Sequence, residues 1–247
     1  MPSPDTPHAA DFRPSPNHGE RLRPISSLIL HYTGMPTAAA ALALLTSAEA
    51  QVSSHYFVDE DGTILQLVPE ARRAWHAGRS FWAGEEDMNS ASIGIEIVHP
   101  GHDDPRPFPD RQIEAVAALG RDICARCAIV PQRVLAHSDI AIGRKVDPGE
   151  FFPWKALAEL GVGHYVAPAP IAGSAALEPG ASGEPVRELQ RALADYGYRI
   201  DVSGAYDAAS AGAVAAFQRH FRPGLIDGRA DSSTIATLRA LAAGTGT

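Results

Sequence analysis

The sequence has little cysteine, no excess of positive charge and no long apolar run. Its formal net charge of -8 argues against a protein that binds nucleic acid by neutralising phosphates. The longest apolar candidate, AAAALALLTSA from Ala38, is shorter than the roughly 18 residues that a membrane-spanning helix needs. We therefore expect no nucleic-acid partner and no membrane partner. The hydrophobic content of 45% in 247 residues predicts a globular chain with a sizeable core.

The two cysteines, Cys124 and Cys127, stand in the pattern CARC. A single CxxC supplies half of a four-ligand zinc site, and the chain has no second pair to complete it. Both cysteines also fall in a segment where apolar residues recur every three or four positions from Ile113 onwards. We interpret them as thiols that fill a core and assign them no function.

The first 24 residues are rich in proline and have no apolar stretch of the kind found in signal peptides. They predict an extended N-terminal segment, residues 1–24. If the chain is the full translated product, a cytoplasmic location is expected. If a signal sequence was removed, the periplasm or the cell envelope is the alternative.

Residues 25–162 predict an α/β domain. The β-type runs SLILHYT, HYFVDEDGTILQLV and SIGIEIV alternate with helical stretches that begin near Thr37 and Asp110. The DEDG inside the second run indicates a hairpin, so the central sheet should be mixed rather than purely parallel. We expect a mixed central β-sheet flanked by helices.

A second, smaller domain follows a segment rich in Gly, Ala, Pro and Ser. This composition indicates a linker over residues 163–182. Residues 183–243 then contain three short amphipathic patterns at helical spacing, separated by turns with glycine and aspartate. We predict a small three-helix all-α domain.

Two polar residues stand in runs that otherwise predict buried strands. His31 lies near the end of SLILHYT, where a histidine is more often a hydrogen-bonded core residue than a ligand. In SIGIEIV, alternation places Gly94 and Glu96 on the face opposite the isoleucines. A buried, unpaired carboxylate costs several kcal/mol, so Glu96 should either face a polar cleft that Gly94 helps to open or form a structural salt bridge.

The stretch AHSDIAIGRKVDPG, residues 136–149, concentrates charge on a predicted loop. RVLAH predicts a short strand ending at His137, and Asp147 precedes a Pro-Gly turn. Two imidazoles and one carboxylate are a ligand set of catalytic zinc, which keeps one position open for water. Because His31, His137 and Asp147 are far apart in sequence, spacing alone does not bring them together, and a solvated loop remains the alternative.

The sequence resembles zinc-dependent N-acetylmuramoyl-L-alanine amidases, the type related to bacteriophage lysozyme-like amidases and animal peptidoglycan-recognition proteins. The resemblance covers most of residues 25–160, through motifs such as LILHYTGM, RRAWHAGRSFW, NSASIGIEIVHPGH and AHSDIAIGRKVDPGEFFPW. It implies that His31, His137 and Asp147 are ligands of Zn²⁺. It also implies that Glu96 is the catalytic acid/base and that Lys145 is the cation beside the metal.

The same resemblance bears on residues around this centre. The AWHAG segment lines the substrate cleft in relatives, which makes Trp75 and His76 candidates for substrate binding. A core aromatic and a hydrogen-bonded loop residue are the respective alternatives. Asp139 and Arg144 are interpreted as groups that shape the loop around the metal. Residues 180–243 resemble the three-helix peptidoglycan-binding domain, through GEPVRELQRALADYGY and DVSGAYDAASAGAVAAFQRHF.

The resemblance implies hydrolysis of the amide bond between N-acetylmuramic acid, or its 1,6-anhydro form, and L-alanine of peptidoglycan stem peptides. The expected partner is peptidoglycan or a muropeptide. The lack of a signal peptide favours soluble recycling fragments as substrate, whereas the C-terminal module favours wall polymer. The alternative function is a recognition module that binds peptidoglycan without cutting it.

Overall fold

The computed structural model describes residues 3–171 and 176–244, so residues 172–175 of the predicted linker lie outside the described residues. The strands are β1 Asp11–Phe12, β2 His18–Glu20, β3 Ser27–Tyr32, β4 Tyr56–Val58, β5 Ile64–Gln66, β6 Arg72–Ala74, β7 Ser92–Ile97 and β8 Val134–Ala136. The helices are α1 Ala38–Leu45, α2 Met88–Ala91, α3 Asp110–Cys127, α4 His137–Ile140, α5 Trp154–Glu159, α6 Glu184–Tyr196, α7 Ala208–Phe221 and α8 Ser232–Ala243.

The central sheet has six strands in the order β1-β5-β4-β7-β3-β8. Strands β4 and β5 form the antiparallel hairpin predicted from DEDG, whereas the β4–β7, β7–β3 and β3–β8 pairs are parallel. The sheet is therefore mixed, with helices packed on it, as the sequence predicted. The three parallel strands β7, β3 and β8 matter most for function, because they end at the same edge of the sheet.

The two faces of the sheet pack against different partners. Leu28 and Leu30 of β3 join the isoleucines of β7 and the apolar residues of α3 in one core. Ile29, on the other face of β3, belongs to a second core. The alternation predicted for SIGIEIV is confirmed, because Ile93, Ile95 and Ile97 lie in the first core whereas Val98 packs in a separate cluster.

Cys124 and Cys127 are free, partly buried thiols that pack against the first core, as expected.

The N-terminal segment is extended and pairs with the α/β domain. Strand β1 pairs with β5 in parallel, and β2 pairs with β6 in a separate antiparallel pair. The guanidinium of Arg21 donates hydrogen bonds to the carbonyl oxygens of Glu70 at 3.0 Å, Ser92 at 3.0 Å and Arg72 at 2.8 Å. These contacts fix the segment before β3 begins.

Helices α6, α7 and α8 stand at the three predicted positions. Their buried residues, among them Val186, Phe217 and Leu238, share a core with Ile29 and Ile140 of the α/β domain. Helix α7 packs against α4. The C-terminal helices therefore share a hydrophobic core with the sheet domain. Over the residues that the structure describes, none of the helices combines the length and the apolar character that crossing a membrane requires.

Candidate active site

The site forms where β3, β7 and β8 end. In the parallel register, His31 of β3 lies opposite Glu96 of β7, and Leu30 lies opposite Ala136, the last residue of β8. His137 follows Ala136 directly. The sequence predicted that His137 ends a strand, but it is the first residue of the short helix α4. The parallel order of the strands thus brings His31, Glu96 and His137 to one edge.

Three predicted metal ligands converge at this edge. The Nδ1 atoms of His31 and His137 are 2.9 Å apart, and the Oδ2 atom of Asp147 lies 3.1 Å from the first and 3.0 Å from the second. All three side chains are buried. The structure therefore brings together residues that sequence spacing could not connect.

Hydrogen bonds define which nitrogen of His137 carries the proton. Its Nε2 atom lies 3.2 Å from the carbonyl oxygen of Ala77. Because a carbonyl oxygen only accepts hydrogen bonds, Nε2 carries the hydrogen, and in the neutral ring Nδ1 then offers a bare lone pair. That lone pair is directed at the site shared with His31 and Asp147.

A longer chain of hydrogen bonds gives the same result for His31. The hydroxyl of Ser92 donates to the carbonyl oxygen of Met88, so its oxygen accepts from His76 Nε2 at 3.4 Å. His76 Nδ1 then accepts from His31 Nε2 at 3.0 Å. With its hydrogen on Nε2, His31 also presents a bare Nδ1 to the site.

The donor set fits a divalent metal ion. Two unprotonated nitrogens and a carboxylate oxygen meet without a hydrogen between them, an arrangement that a cation stabilises. Burial and the neighbouring His137 lower the pKa of His31 to about 4, which keeps its imidazole neutral at pH 7. These three side chains form a site that can bind a metal ion.

Glu96 lies beside this site with an uncommitted carboxyl group. Its Oε2 atom is buried and has no hydrogen-bond partner among the described residues. Burial and then the charge of Asp147 raise the pKa of Glu96 well above its usual range, while Lys145 acts in the opposite direction. The described part of the chain shows no ion pair for Glu96, so the structural salt bridge considered from the sequence is not formed there.

A cleft of about 400 Å³ opens over the site. Its polar lining includes Glu96, Lys145, Asp147 and the two histidines His76 and His137. Lys145 is exposed. Apolar residues form much of the remaining wall: Met35, Ala41, Leu44, Leu45, Val52 and Val146. The cleft can therefore hold a ligand with both polar and apolar groups.

The two candidates for substrate binding occupy different places. His76 lines the cleft, but its ring is buried and supports His31 through the hydrogen bond described above. Trp75 is half-buried and is not among the cleft-lining residues in the described part of the chain. Gly94 does not open the cleft directly, because the ring of His76 fills the space above it, and a Cβ on Gly94 would lie 2.5 Å from His76 Cγ.

Asn89 is a supporting residue that sequence reasoning missed. Its Oδ1 atom accepts hydrogen bonds from the backbone N–H groups of His76 at 2.9 Å and Ala77 at 2.7 Å. It thereby fixes the loop whose His76 ring bonds to His31 and whose Ala77 carbonyl accepts from His137. Asn89 stands on a four-residue helix, and nothing in the local sequence indicates its role. A glycine inside a strand, such as Gly94, does indicate a close neighbour, which here is the ring of His76.

Comparison with known proteins shows the family of the chain. The model of the N-acetylmuramoyl-L-alanine amidase family matches residues 21–150, and the model of a peptidoglycan binding domain matches residues 182–238. The chain is 40% identical over 236 residues to N-acetylmuramoyl-L-alanine amidase AmiD of Escherichia coli, covering 88% of this chain and 82% of that protein. It is 38% identical over 107 residues to 1,6-anhydro-N-acetylmuramyl-L-alanine amidase AmpD of Enterobacter cloacae, covering 43% of this chain and 56% of AmpD.

Solved structures are similar over nearly the whole chain. A complex of E. coli AmiD with the substrate anhydro-N-acetylmuramic acid-L-Ala-D-gamma-Glu-L-Lys superposes with a TM-score of 0.76 at 39% identity, covering 90% of each chain. AmpDh3 of Pseudomonas aeruginosa in complex with anhydromuramic pentapeptide gives 0.73 at 33% identity, covering 94% of this chain and 96% of that one. The chain therefore belongs to the N-acetylmuramoyl-L-alanine amidase family, and it is an amidase that carries a peptidoglycan binding domain.

Proposed function

We propose that this amidase is zinc-dependent and hydrolyses the amide bond between N-acetylmuramic acid, or its 1,6-anhydro form, and L-alanine of the stem peptide. The observation that carries the proposal is the convergence of three unprotonated ligand atoms, all within 3.1 Å of one another, beside the unpaired carboxyl of Glu96. The anhydromuropeptides bound to AmiD and to AmpDh3 support the choice of substrate.

His31, His137 and Asp147 would hold the zinc ion. Two imidazole nitrogens with one carboxylate oxygen suit zinc, and three protein ligands leave a coordination position for the reaction. When bound, zinc supplies a Lewis acid that lowers the pKa of water to about 7 and polarises the amide carbonyl.

Glu96 would move the proton. Hydrolysis adds the oxygen of water to the amide carbonyl carbon, breaks the bond to the nitrogen of L-alanine and gives that nitrogen a hydrogen. A carboxyl group with a raised pKa can accept the proton from the attacking water and then return it to the leaving amine near neutral pH. Its unpartnered oxygen keeps it available for both transfers.

Lys145 would stabilise the charge that develops on the carbonyl oxygen. It lines the cleft together with Glu96, and its exposed ammonium group is close enough to lower the pKa of that carboxyl. In other hydrolases, a donor directed at the developing oxyanion lowers the activation free energy by roughly 3 to 4 kcal/mol.

The apolar wall of the cleft supports the same substrate. Leu44 is 43% exposed and Val146 is 41% exposed. Both line the cleft. Exposed apolar groups beside a charged centre suit the methyl groups of the lactyl ether and of L-alanine, which flank the scissile amide. A recognition module that does not cut would need no such complete set of ligands, carboxyl and ammonium groups.

The test compares two substrates with the full chain. Zinc content is measured first, and the protein is then incubated with a 1,6-anhydromuropeptide or with purified sacculi. We expect one zinc per chain and, with both substrates, release of stem peptide with a free L-alanine amino group, detected by mass spectrometry. A zinc-loaded protein that releases no such peptide from either substrate would overturn the proposal.

A further inference from the structure

Asp139 lies at the junction of the two domains, two residues after His137. Its side chain is buried, and its Oδ2 atom accepts the backbone N–H of Ala136 at 2.8 Å. Ala136 is the last residue of β8 and immediately precedes α4. This hydrogen bond closes the first turn of α4, the helix on which His137 stands.

Two side chains from the C-terminal domain bind the same carboxylate. The hydroxyl of Tyr198, just after α6, donates to Asp139 Oδ1 at 2.8 Å. Nδ1 of His220, on α7, lies 2.7 Å from Asp139 Oδ2 and donates to it, because a carboxylate oxygen accepts. Both donors are themselves buried.

Aromatic contacts hold the two donors in place. The ring of His220 is stacked between Trp154, at a centroid distance of 3.7 Å, and Phe221, at 3.8 Å. The ring of Tyr198 packs edge-on against Trp82 at 4.9 Å. Packing on this scale fixes the rotamers of both side chains, so Asp139 is held between the domains.

The position of Asp139 is coupled to two candidate metal ligands. Helix α4 has only four residues, so a displacement of Asp139 moves His137 with it. The N–H of Ser138, between them, donates to the carbonyl oxygen of Asp147 at 3.0 Å. A shift of α4 therefore reaches both His137 and Asp147.

We propose that Tyr198 and His220 are positioning residues for the metal centre, acting from the C-terminal domain through Asp139. This domain then does more than bind wall polymer, because it holds the helix from which a metal ligand projects. The inference rests on the proposed function, since it requires His137 and Asp147 to bind the metal. Removal of an outer support of a metal ligand typically costs about 10- to 100-fold in metal affinity or activity.

The test uses Tyr198→Phe in the full chain, with Tyr206→Phe as the matched control. Tyr206 is also buried in the C-terminal domain and donates its hydroxyl to the carbonyl oxygen of Gly228 at 2.7 Å. Each variant loses one buried hydroxyl, so similar decreases in Tm are expected. Zinc affinity, measured by competition with a chelator, should fall about tenfold in Tyr198→Phe and stay at the wild-type level in Tyr206→Phe.

Two variants of His220 add a rescue experiment. His220→Leu removes the donor, whereas His220→Asn keeps an N–H group near the place of Nδ1. We expect zinc affinity to fall in His220→Leu and to recover in part in His220→Asn. If His220→Leu does not fold, the comparison of Tyr198→Phe with Tyr206→Phe is the test.

The outcomes separate the two proposals. Wild-type protein that binds zinc and cleaves muropeptide, together with a Tyr198→Phe variant that binds zinc equally well, would overturn the positioning role alone. Wild-type protein that binds no zinc would overturn the proposed function and this inference with it.

Discussion

Glu96 lies directly opposite His31 in two neighbouring parallel strands. The side chains therefore emerge on the same face of the sheet, at the edge where β8 ends and His137 follows. A slip of one residue in this register would move Glu96 to the face that carries Leu28 and Leu30. The register of β3 and β7 is thus what places Glu96, the proposed proton carrier, beside the candidate metal ligands.

Replacement of Glu96 should separate metal binding from turnover. In Glu96→Ala we expect normal folding and zinc content with at least about a hundredfold loss in kcat, because general acid and base groups contribute at least that much. Glu96→Gln should behave alike, since an amide cannot carry the proton. Metal analysis and kinetics on a muropeptide check both variants. An unchanged kcat would remove Glu96 from the mechanism.

Loss of a metal ligand should remove zinc and activity together. His31→Ala and Asp147→Ala are expected to purify with little zinc, because two remaining ligands hold the ion weakly. His164→Ala is the control: this half-buried histidine bonds to Tyr196 outside the site, so its variant should keep zinc. Normal zinc content in either ligand variant would show that the ligand set is wrong.

Lys145 should affect the rate more than binding. In Lys145→Met we expect kcat to fall by about a hundredfold or more, the range for losing one oxyanion donor, with a smaller change in KM. Lys155, the other lysine of the chain, is exposed on α5 and forms a pair with Glu159. Lys155→Met should therefore leave both constants unchanged. Equal kinetics for the two variants would contradict the role of Lys145.

A methyl group on Gly94 should disturb the candidate metal site through His76, the hydrogen-bond partner of His31. Gly94→Ala would place a Cβ 2.5 Å from Cγ of His76, so the His76 ring must shift and its hydrogen bond to His31 is disturbed. Overpacking of this kind costs about 1–3 kcal/mol, and we expect weaker zinc binding as well. Gly19→Ala is the control, since its Cβ would have its nearest neighbour at 3.9 Å. Zinc titration and denaturant unfolding of both variants measure the difference, and equal zinc affinities would contradict the role of His76.

The stability of the fold should fall in acid partly through His55. This buried histidine accepts the N–H of Gly94 on Nδ1 at 3.0 Å and donates from Nε2 to the carbonyl oxygen of Arg72 at 3.1 Å. Burial and the charge of Arg21 lower its pKa from 6.5 to about 3. Because the unfolded chain binds the proton more readily, this stability is complete above pH 6.5 and is lost as pH falls from there towards 3.

His55→Gln removes this titration. The difference in unfolding free energy between wild type and variant should be largest at pH 7 and shrink towards pH 5, by at most about 1.4 kcal/mol per pH unit. Urea unfolding of both proteins across this range provides the measurement. A difference that stays constant with pH would show that His55 does not titrate as the structure indicates.

Local patterns predicted the elements that bury a regular face. The continuous apolar run of β3, the alternation in β7 and the amphipathic period of α3 each follow from residues within one segment. The helices α6 to α8 follow for the same reason. In contrast, β1 has two residues and exists because β5 offers a free edge, so no local pattern could predict it.

Local sequence patterns could not predict which residues meet at the site. Strand order places His31 between Glu96 and His137, and that order is a property of the whole sheet rather than of any segment. Only the resemblance to a family connected these residues in advance. The helical start at His137 was missed because Asp139, whose carboxylate caps the backbone N–H of Ala136, is held in that position by Tyr198 and His220 of the C-terminal domain.

The pairing of the N-terminal strands has a practical consequence for anyone who shortens this protein. The family match begins at residue 21, after β1 and β2 have ended. A fragment cut to residues 21–150 would expose the backbone edges of β5 and β6, and exposed edges recruit strands from other molecules. Such a fragment should aggregate on expression, however complete its catalytic residues are.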